Sequence, residues 1–272
     1  MELAGRVAVV TGGGGGIGEG LCRAFAAEGA RAVVVADIDG DAAERVAADL
    51  AAAGTTARGL RVDVGSEPDV VELVRRTEDD FGPIDLFCAN AGIIVIGGVE
   101  VPDGGWERIW RVNVQGHVYA ARAVLPAMLA RGEGYLLHTA SAAGLLTQLG
   151  SAPYSVTKHA VVGLAEWLAI THGDAGIRVS CLCPQAVQTA MTGGGPRVAG
   201  DASSTSRRDG VLLPEEVARV VVEGLRDERF LILPHPEVAT YEQRRAGDRD
   251  RWLKGMRRMQ AAMVAAWRSS TT

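Results

Sequence analysis

The chain has 272 residues, of which 47% are hydrophobic and 22% charged, with a formal net charge of −5. That balance is an ordinary globule's and excludes intrinsic disorder over most of the length. The acidic charge argues against a generic binder of nucleic acid or of an anionic membrane surface. No apolar run approaches the roughly 20 residues that span a bilayer. Residues 1–5 lead straight into a strand-like segment, so a signal peptide is not expected. The expectation is a cytoplasmic protein whose four cysteines (Cys22, Cys88, Cys181 and Cys183) are reduced and mostly buried, since none forms a CxxC pair.

Taken in chain order, residues 6–10 (RVAVV) read as a buried strand and 17–28 as a helix. Residues 31–36 (RAVVVA) form a second strand, followed by an Ala-rich helix over about 41–53. A third strand near 57–62, a helix at 67–81 and a fourth strand at 84–89 continue the alternation. Long helical patterns cover 102–129 and 151–172, with a strand at 134–139 between them and another at 178–183 after them. Strands spaced by helices of this length make βαβ units and a parallel sheet. The unbroken run Val33-Val34-Val35 fits a strand covered on both faces. Right-handed crossovers then give an α/β fold with an open, doubly wound Rossmann-type sheet.

Beyond Cys183 the pattern weakens. Residues 192–210, rich in Gly, Ser and Arg, are expected to form a mobile loop. A helix at 214–225 and a short strand at 230–233 follow. The stretch 238–268 is helical, with Trp252, Met256, Met259, Met263 and Trp267 near one stripe. No linker or internal repeat divides the sequence, so residues 1–272 are expected to form one domain.

The 35 glycines gather at turns, most densely in Thr11-Gly12-Gly13-Gly14-Gly15-Gly16-Ile17-Gly18, between the first strand and the first helix. Binding a phosphate needs backbone N–H groups brought close to the anion at a helix N-terminus. Gly12, Gly16 and Gly18 supply the turn, the close approach and the helix-to-strand packing. A glycine run alone also fits a merely flexible turn. Asp37 adds weight: it ends the second strand, near the roughly 20-residue offset of a ribose-binding acid. A carboxylate there accepts hydrogen bonds from ribose hydroxyls and repels a 2′-phosphate, which favours NAD over NADP.

Ser151–Lys158 (SAPYSVTK) opens the second long helix, with Ser151 as N-cap and Pro153 tolerated in the first turn. Tyr154 and Lys158 stand at i,i+4 on one helical face. A phenol with a reference pKa of about 10 is a poor base at neutral pH. A neighbouring cation, together with a positively charged nicotinamide ring, favours the phenolate. Ser141, at the end of the preceding strand, is positioned to polarise a carbonyl oxygen. Such a Tyr–Lys pair also occurs on solvated helix faces.

Together these motifs resemble the short-chain dehydrogenase/reductase family over residues 5–233. The glycine loop is similar to the family's TGxxxGIG, and Asp63-Val64 to the acidic pair at the adenine ring. Asn90-Ala91-Gly92 resembles the NAG turn, and Asn113 the asparagine that bends its helix and holds a relay water. Pro184–Thr189 (PQAVQT) resembles the PGxVxT segment at the nicotinamide carboxamide, with Val187 and Thr189 as contacts, but Gln185 stands where the family has glycine. The resemblance implies a seven-stranded parallel sheet and an Asn113–Ser141–Tyr154–Lys158 tetrad. In it Tyr154 is the general acid/base, Lys158 binds the nicotinamide ribose and tunes Tyr154, Ser141 orients the substrate oxygen, and Asn113 links the relay to solvent. The cofactor site would comprise Gly12, Gly16, Ile17, Gly18, Asp37, Asp63, Val64, Asn90, Gly92, Tyr154, Lys158, Pro184, Val187 and Thr189, with no metal.

The expected activity is interconversion of a secondary alcohol and its ketone with NAD. A non-catalytic NAD sensor, or an epimerase or dehydratase on the same scaffold, are the alternatives. Residues 93–96, Leu145, Leu146, Gln148 and the loop after Met191 suggest a lipophilic small-molecule substrate. Arg197, Arg207 and Arg208 could meet an anionic tail. The basic residues Arg244, Arg245, Arg249, Arg251, Arg257 and Arg258 read as a solvated helix face, and the Trp/Met stripe as packing on the subunit's own pocket or on a neighbour. A homo-oligomer, tetramer or dimer, built on the two long helices is expected. The five histidines show no ligand spacing, and Cys181-x-Cys183 reads as core.

Overall fold

The structure, a computed structural model, describes residues 1–192 and 209–270. Five strands alternate with helices through the first half of the chain: β1 (Val7–Thr11), α1 (Gly16–Ala27), β2 (Ala32–Asp37), α2 (Gly40–Ala52), β3 (Ala57–Arg61), α3 (Glu67–Phe81), β4 (Leu86–Ala89), α4 (Asp103–Trp110), α5 (Gly116–Arg131) and β5 (Gly134–Thr139). There follow α6 (Ala142–Leu145), α7 (Ala152–His172), β6 (Ile177–Leu182), α8 (Pro214–Arg226), β7 (Leu231–Ile232), α9 (Glu237–Gly247) and α10 (Arg249–Ser270). The strands form one seven-stranded sheet in the order β3-β2-β1-β4-β5-β6-β7, every pair parallel.

β1, β4 and β5 are buried along their whole length, β2 up to Asp37, so their Val- and Leu-rich sequences follow from helices lying on both faces. Two apolar cores result. One, centred on Phe87, Leu136 and Val161, packs α3, α5 and α7 against the sheet. The other, centred on Leu21, Phe25 and Tyr135, packs α1, α2 and α8 on the opposite face. Local chemistry sets the helix starts. Asp39 accepts from the Ala42 N–H at 3.1 Å, and Ser151 from the Tyr154 N–H at 3.3 Å. Gly132, left-handed at φ 69°, ends α5.

Three boundaries differ from the periodicity. The single helix expected over 102–129 is interrupted by a π-helical turn, Arg111–Gln115, that carries Asn113. A short helix, α6, follows β5 directly, too brief to leave a periodic signature. The helical stretch 238–268 is two helices, because Asp248 leaves helical geometry at φ −149° and caps the second by accepting the Arg251 N–H at 2.9 Å.

Candidate active site

Chain order reverses between β1 and β4, and the loops leaving their C-terminal ends part to open a crevice. The glycine loop forms its floor. Gly12 and Gly16 are left-handed at φ +64° and +54°, a region other residues rarely adopt. A Cβ on Gly12 would stand 2.9 Å from Ala91 Cα, and one on Gly16 3.0 Å from Thr189 Cγ2. Gly12, Gly16 and Ile17 line the cavity, where the first N–H groups of α1 carry the partial positive charge of a helix start. Gly18 serves differently. It is buried off the cavity, and its missing side chain lets α1 seat on the loop, since a Cβ would lie 2.0 Å from the Gly12 carbonyl oxygen.

Asp37 ends β2 with both oxygens engaged, Oδ2 accepting the Gly14 N–H at 2.9 Å and Oδ1 the Asp39 N–H at 3.0 Å. Asp63 accepts the Gly65 N–H at 2.8 Å, with Val64 beside it on the cavity wall. Asn90 ties three strand ends together. Its amide donates to the Thr11 carbonyl at 3.0 Å and accepts from the Thr139 hydroxyl at 3.1 Å. Gly92 lies against Asn113 and Lys158, each 3.4 Å from where a Cβ would stand. Pro184, Val187 and Thr189 complete this part of the lining.

Ser141, Tyr154 and Lys158 line the same cavity. Ser141 caps α6, its hydroxyl accepting the Ala143 N–H at 3.1 Å and donating to the Pro184 carbonyl at 3.3 Å. The Lys158 ammonium sits 5.6 Å from the centre of the Tyr154 ring and donates to the Thr139 carbonyl at 2.8 Å. Burial pushes Lys158 down to about 8 and pushes the Tyr154 phenol up, with hydrogen bonding to Ser141 opposing the second shift. At neutral pH these side chains therefore hold a protonated phenol beside a mostly cationic lysine.

Asn113 is fully buried inside the π-helical turn and lies off the cavity lining. Its Oδ1 accepts the Ile93 N–H at 2.8 Å, while Nδ2 donates to the Ile93 carbonyl at 2.9 Å and the Thr157 hydroxyl at 3.3 Å. The side chain thus fastens the loop after β4 to the catalytic face of α7.

The cavity measures about 1660 Å³ and extends well past these groups. Of the expected substrate contacts, Ile93, Ile94, Leu146, Gln148 and Met191 line it, whereas Leu145 is core and Ile96 stands 73% exposed elsewhere. Arg197, Arg207 and Arg208 lie outside the described residues. Trp252, Met256 and Met259 line the cavity of their own chain, and so do Arg244, Arg251 and Arg258, which the sequence assigns to a solvated face. All three stay exposed to solvent, as their alternation with acids suggests, and border the cavity as well. Tyr241 and Asp209 also escaped the sequence reading. Asp209 accepts from the Gln185 amide at 3.0 Å and from the Tyr241 hydroxyl at 2.9 Å.

His117 and His138, far apart in sequence, stack with their Nδ1 atoms 3.0 Å apart in full burial. Desolvation pushes His138 down to about 4 and His117 well below its ordinary value. Among the described residues no group of three or more His, Cys, Asp or Glu side chains gathers as a metal site would require. No described helix is long and apolar enough to cross a membrane.

This constellation on a doubly wound parallel sheet defines a class, and the comparisons identify it. The model of the short chain dehydrogenase family matches residues 6–196. A 1-deoxy-11-beta-hydroxypentalenate dehydrogenase of Streptomyces exfoliatus is 40% identical over 244 residues, covering 87% of this chain and 86% of that protein. A meso-2,3-butanediol dehydrogenase of Serratia marcescens is 37% identical over 234 residues, covering 85% of this chain and 92% of that one. A short chain dehydrogenase/reductase of Burkholderia phymatum, solved in complex with NAD, superposes with a TM-score of 0.83 at 31% identity, covering 92% and 96% of the two chains. The chain belongs to the short-chain dehydrogenase/reductase family, and it is an oxidoreductase of that family.

Proposed function

We propose that this protein is an NAD-dependent dehydrogenase that interconverts a secondary alcohol and its ketone, with Tyr154 as general acid/base. The observation that carries the reading is that Ser141, Tyr154 and Lys158 line one cavity with the Gly12–Gly16 turn and Asp37. The names of the relatives in Streptomyces and Serratia, each a dehydrogenase of a hydroxylated compound, and the NAD in the Burkholderia structure support it.

The residues fit a dinucleotide. The positive-φ glycines keep side chains out of the cradle, and the helix N-terminus favours a pyrophosphate. Asp37 would accept the adenosine ribose hydroxyls and repel a 2′-phosphate. Asp63 and Val64 would flank the adenine, and Asn90 and Gly92 the adjoining strand ends. Pro184, Val187 and Thr189 would hold the nicotinamide end. When bound, that ring accepts a hydride from the carbinol carbon or returns one to the carbonyl.

The chain's own part is to hold the substrate oxygen and move its proton. Ser141, turning its hydroxyl away from the Pro184 carbonyl, donates to that oxygen and aligns it with the Tyr154 hydroxyl. In oxidation the Tyr154 phenolate removes the hydroxyl proton; in reduction the phenol supplies it. Lys158, anchored by Thr139, presents its charge one helical turn from the ring and makes the phenolate easier to form. Asn113, its side chain spent on Ile93 and Thr157, positions the loop and helix that carry these groups. We read residues 1–272 as one domain and the protein as a homo-oligomer, because Trp110, Val156, Trp167 and Ile170 expose apolar surface on α4 and α7.

The test is NADH formation by the purified protein from secondary alcohols, sugars, hydroxysteroids and terpenols, with NADP in parallel. Turnover with NAD is expected on at least one class. Tight NAD binding without turnover on any class would instead favour a nucleotide sensor.

A further inference from the structure

The cavity is larger than the catalytic groups need, and the chemistry of its α9 and α10 wall is uneven. Tyr241, Trp252, Met256 and Met259 give that wall apolar and aromatic surface, adjoining Leu146 and Met191. Three guanidinium groups, Arg244, Arg251 and Arg258, open onto the same space. Arg251 and Arg258 are seven residues apart, two helical turns, so they share a face of α10. Between them stands Gly255, which contributes no bulk.

Among the described residues none of these three arginines makes an ion pair, although many arginines elsewhere do, among them Arg6, Arg23, Arg58, Arg75 and Arg122. The two acids on this part of the lining are already engaged. Asp209 is held by Gln185 and Tyr241, and Asp248 caps α10. An apolar chamber bordered by three solvent-exposed guanidinium groups, none with an ion-pair partner among the described residues, matches an amphipathic anion, because arginine's planar fork recognises a carboxylate in two-point fashion.

We propose that the α9 and α10 wall of the cavity selects substrates carrying a carboxylate tail on an otherwise apolar skeleton, with Arg251 and Arg258 gripping the tail and Arg244 adding charge. The inference rests on the dehydrogenase reading for the alcohol end of the substrate. The arginines themselves are specificity residues and take no part in the proton transfer. The dinucleotide's pyrophosphate already has the α1 N-terminus, so these cations are left for the second ligand.

The experiment measures binding of two probe pairs to the NADH-loaded protein by calorimetry. The pairs are cholate with methyl cholate, and 3-hydroxydecanoate with its methyl ester. Each acid is expected to bind about tenfold tighter than its ester at low salt, a preference that shrinks as salt is raised. Arg251→Gln and Arg258→Gln should each cut the preference about three- to tenfold, while leaving ester binding and the NADH Kd within about twofold. Arg257→Gln, on the same helix but off the cavity lining, serves as the control and should change nothing. Equal binding of acid and ester, no binding of either acid, or a variant that loses NADH affinity in place of the acid preference would overturn the proposal. NADH formation from cyclohexanol, meso-2,3-butanediol, cholate and 3-hydroxydecanoate, run alongside, separates the two readings. Turnover without acid preference defeats only the carboxylate clamp, and acid preference without turnover defeats only the dehydrogenase assignment.

Discussion

The Gln185 amide donates to Asp209 at 3.0 Å, and the other oxygen of that carboxylate accepts the Tyr241 hydroxyl at 2.9 Å. This bridge ties the loop after β6 to α9 and to the chain entering α8. It stands where the family's pattern has a glycine that could form no such bond. Gln185→Gly is therefore expected to loosen the substrate wall, raising KM for alcohol severalfold and costing about 1 kcal/mol of stability. The NAD Kd should stay within about twofold. Steady-state kinetics and calorimetry check it; a collapse of NAD binding with KM unchanged would show that Gln185 serves the cofactor instead.

Asp37 governs the choice of nucleotide. Replacing it with serine removes the carboxylate that would meet a 2′-phosphate and also releases the Gly14 N–H. The ratio of kcat/KM for NADP over NAD should rise at least about tenfold, roughly 1.4 kcal/mol of discrimination. An unchanged ratio would mean that another group sets the preference.

Gly18 is a packing residue at the root of the cofactor site. An alanine there drives its Cβ into the Gly12 carbonyl, 2.0 Å away, and backbone must move to relieve it. Gly18→Ala is expected to lower stability by about 2–4 kcal/mol and to weaken NAD binding. Urea unfolding and dye-free thermal melts measure the first, calorimetry the second. Gly15→Ala, where a Cβ meets no protein atom within 4 Å, is the paired control for stability and should be nearly silent in the melts.

The buried His117–His138 pair makes stability depend on pH. His138 is held down to about 4 when folded, against an ordinary value of 6.5, so the unfolded chain binds more protons between those values. Stability is complete above about pH 6.5 and falls as pH drops towards 4. Urea midpoints between pH 7.5 and 5 should trace that decline, and His138→Asn should make it shallower, leaving the share that His117 contributes. Equal slopes in both proteins would place the proton uptake elsewhere.

Much of this was legible in the sequence for physical reasons. Valine runs in β1 and β2 had to be covered on both faces, and that alone announces a parallel sheet. The glycine loop, Asp37 and the Tyr154–Lys158 spacing each express a local requirement within a few residues, and each line the crevice. What escaped depends on tertiary contacts. Asn113 gives no sign that its side chain is spent on Ile93 and Thr157, because those bonds cross 20 and 44 residues. His117 and His138 meet only because α5 packs on β5. Arg244, Arg251 and Arg258 are as solvated as they look, but only the fold of α9 and α10 brings them to the cavity.

The most direct test of the account compares wild type with Tyr154→Phe in NADH formation from a turned-over alcohol, with NAD binding measured on both. The account predicts that the phenylalanine variant binds NAD and melts like wild type, yet loses kcat by about a hundredfold or more. A variant that keeps most of its turnover would contradict the assignment of Tyr154 as the acid/base.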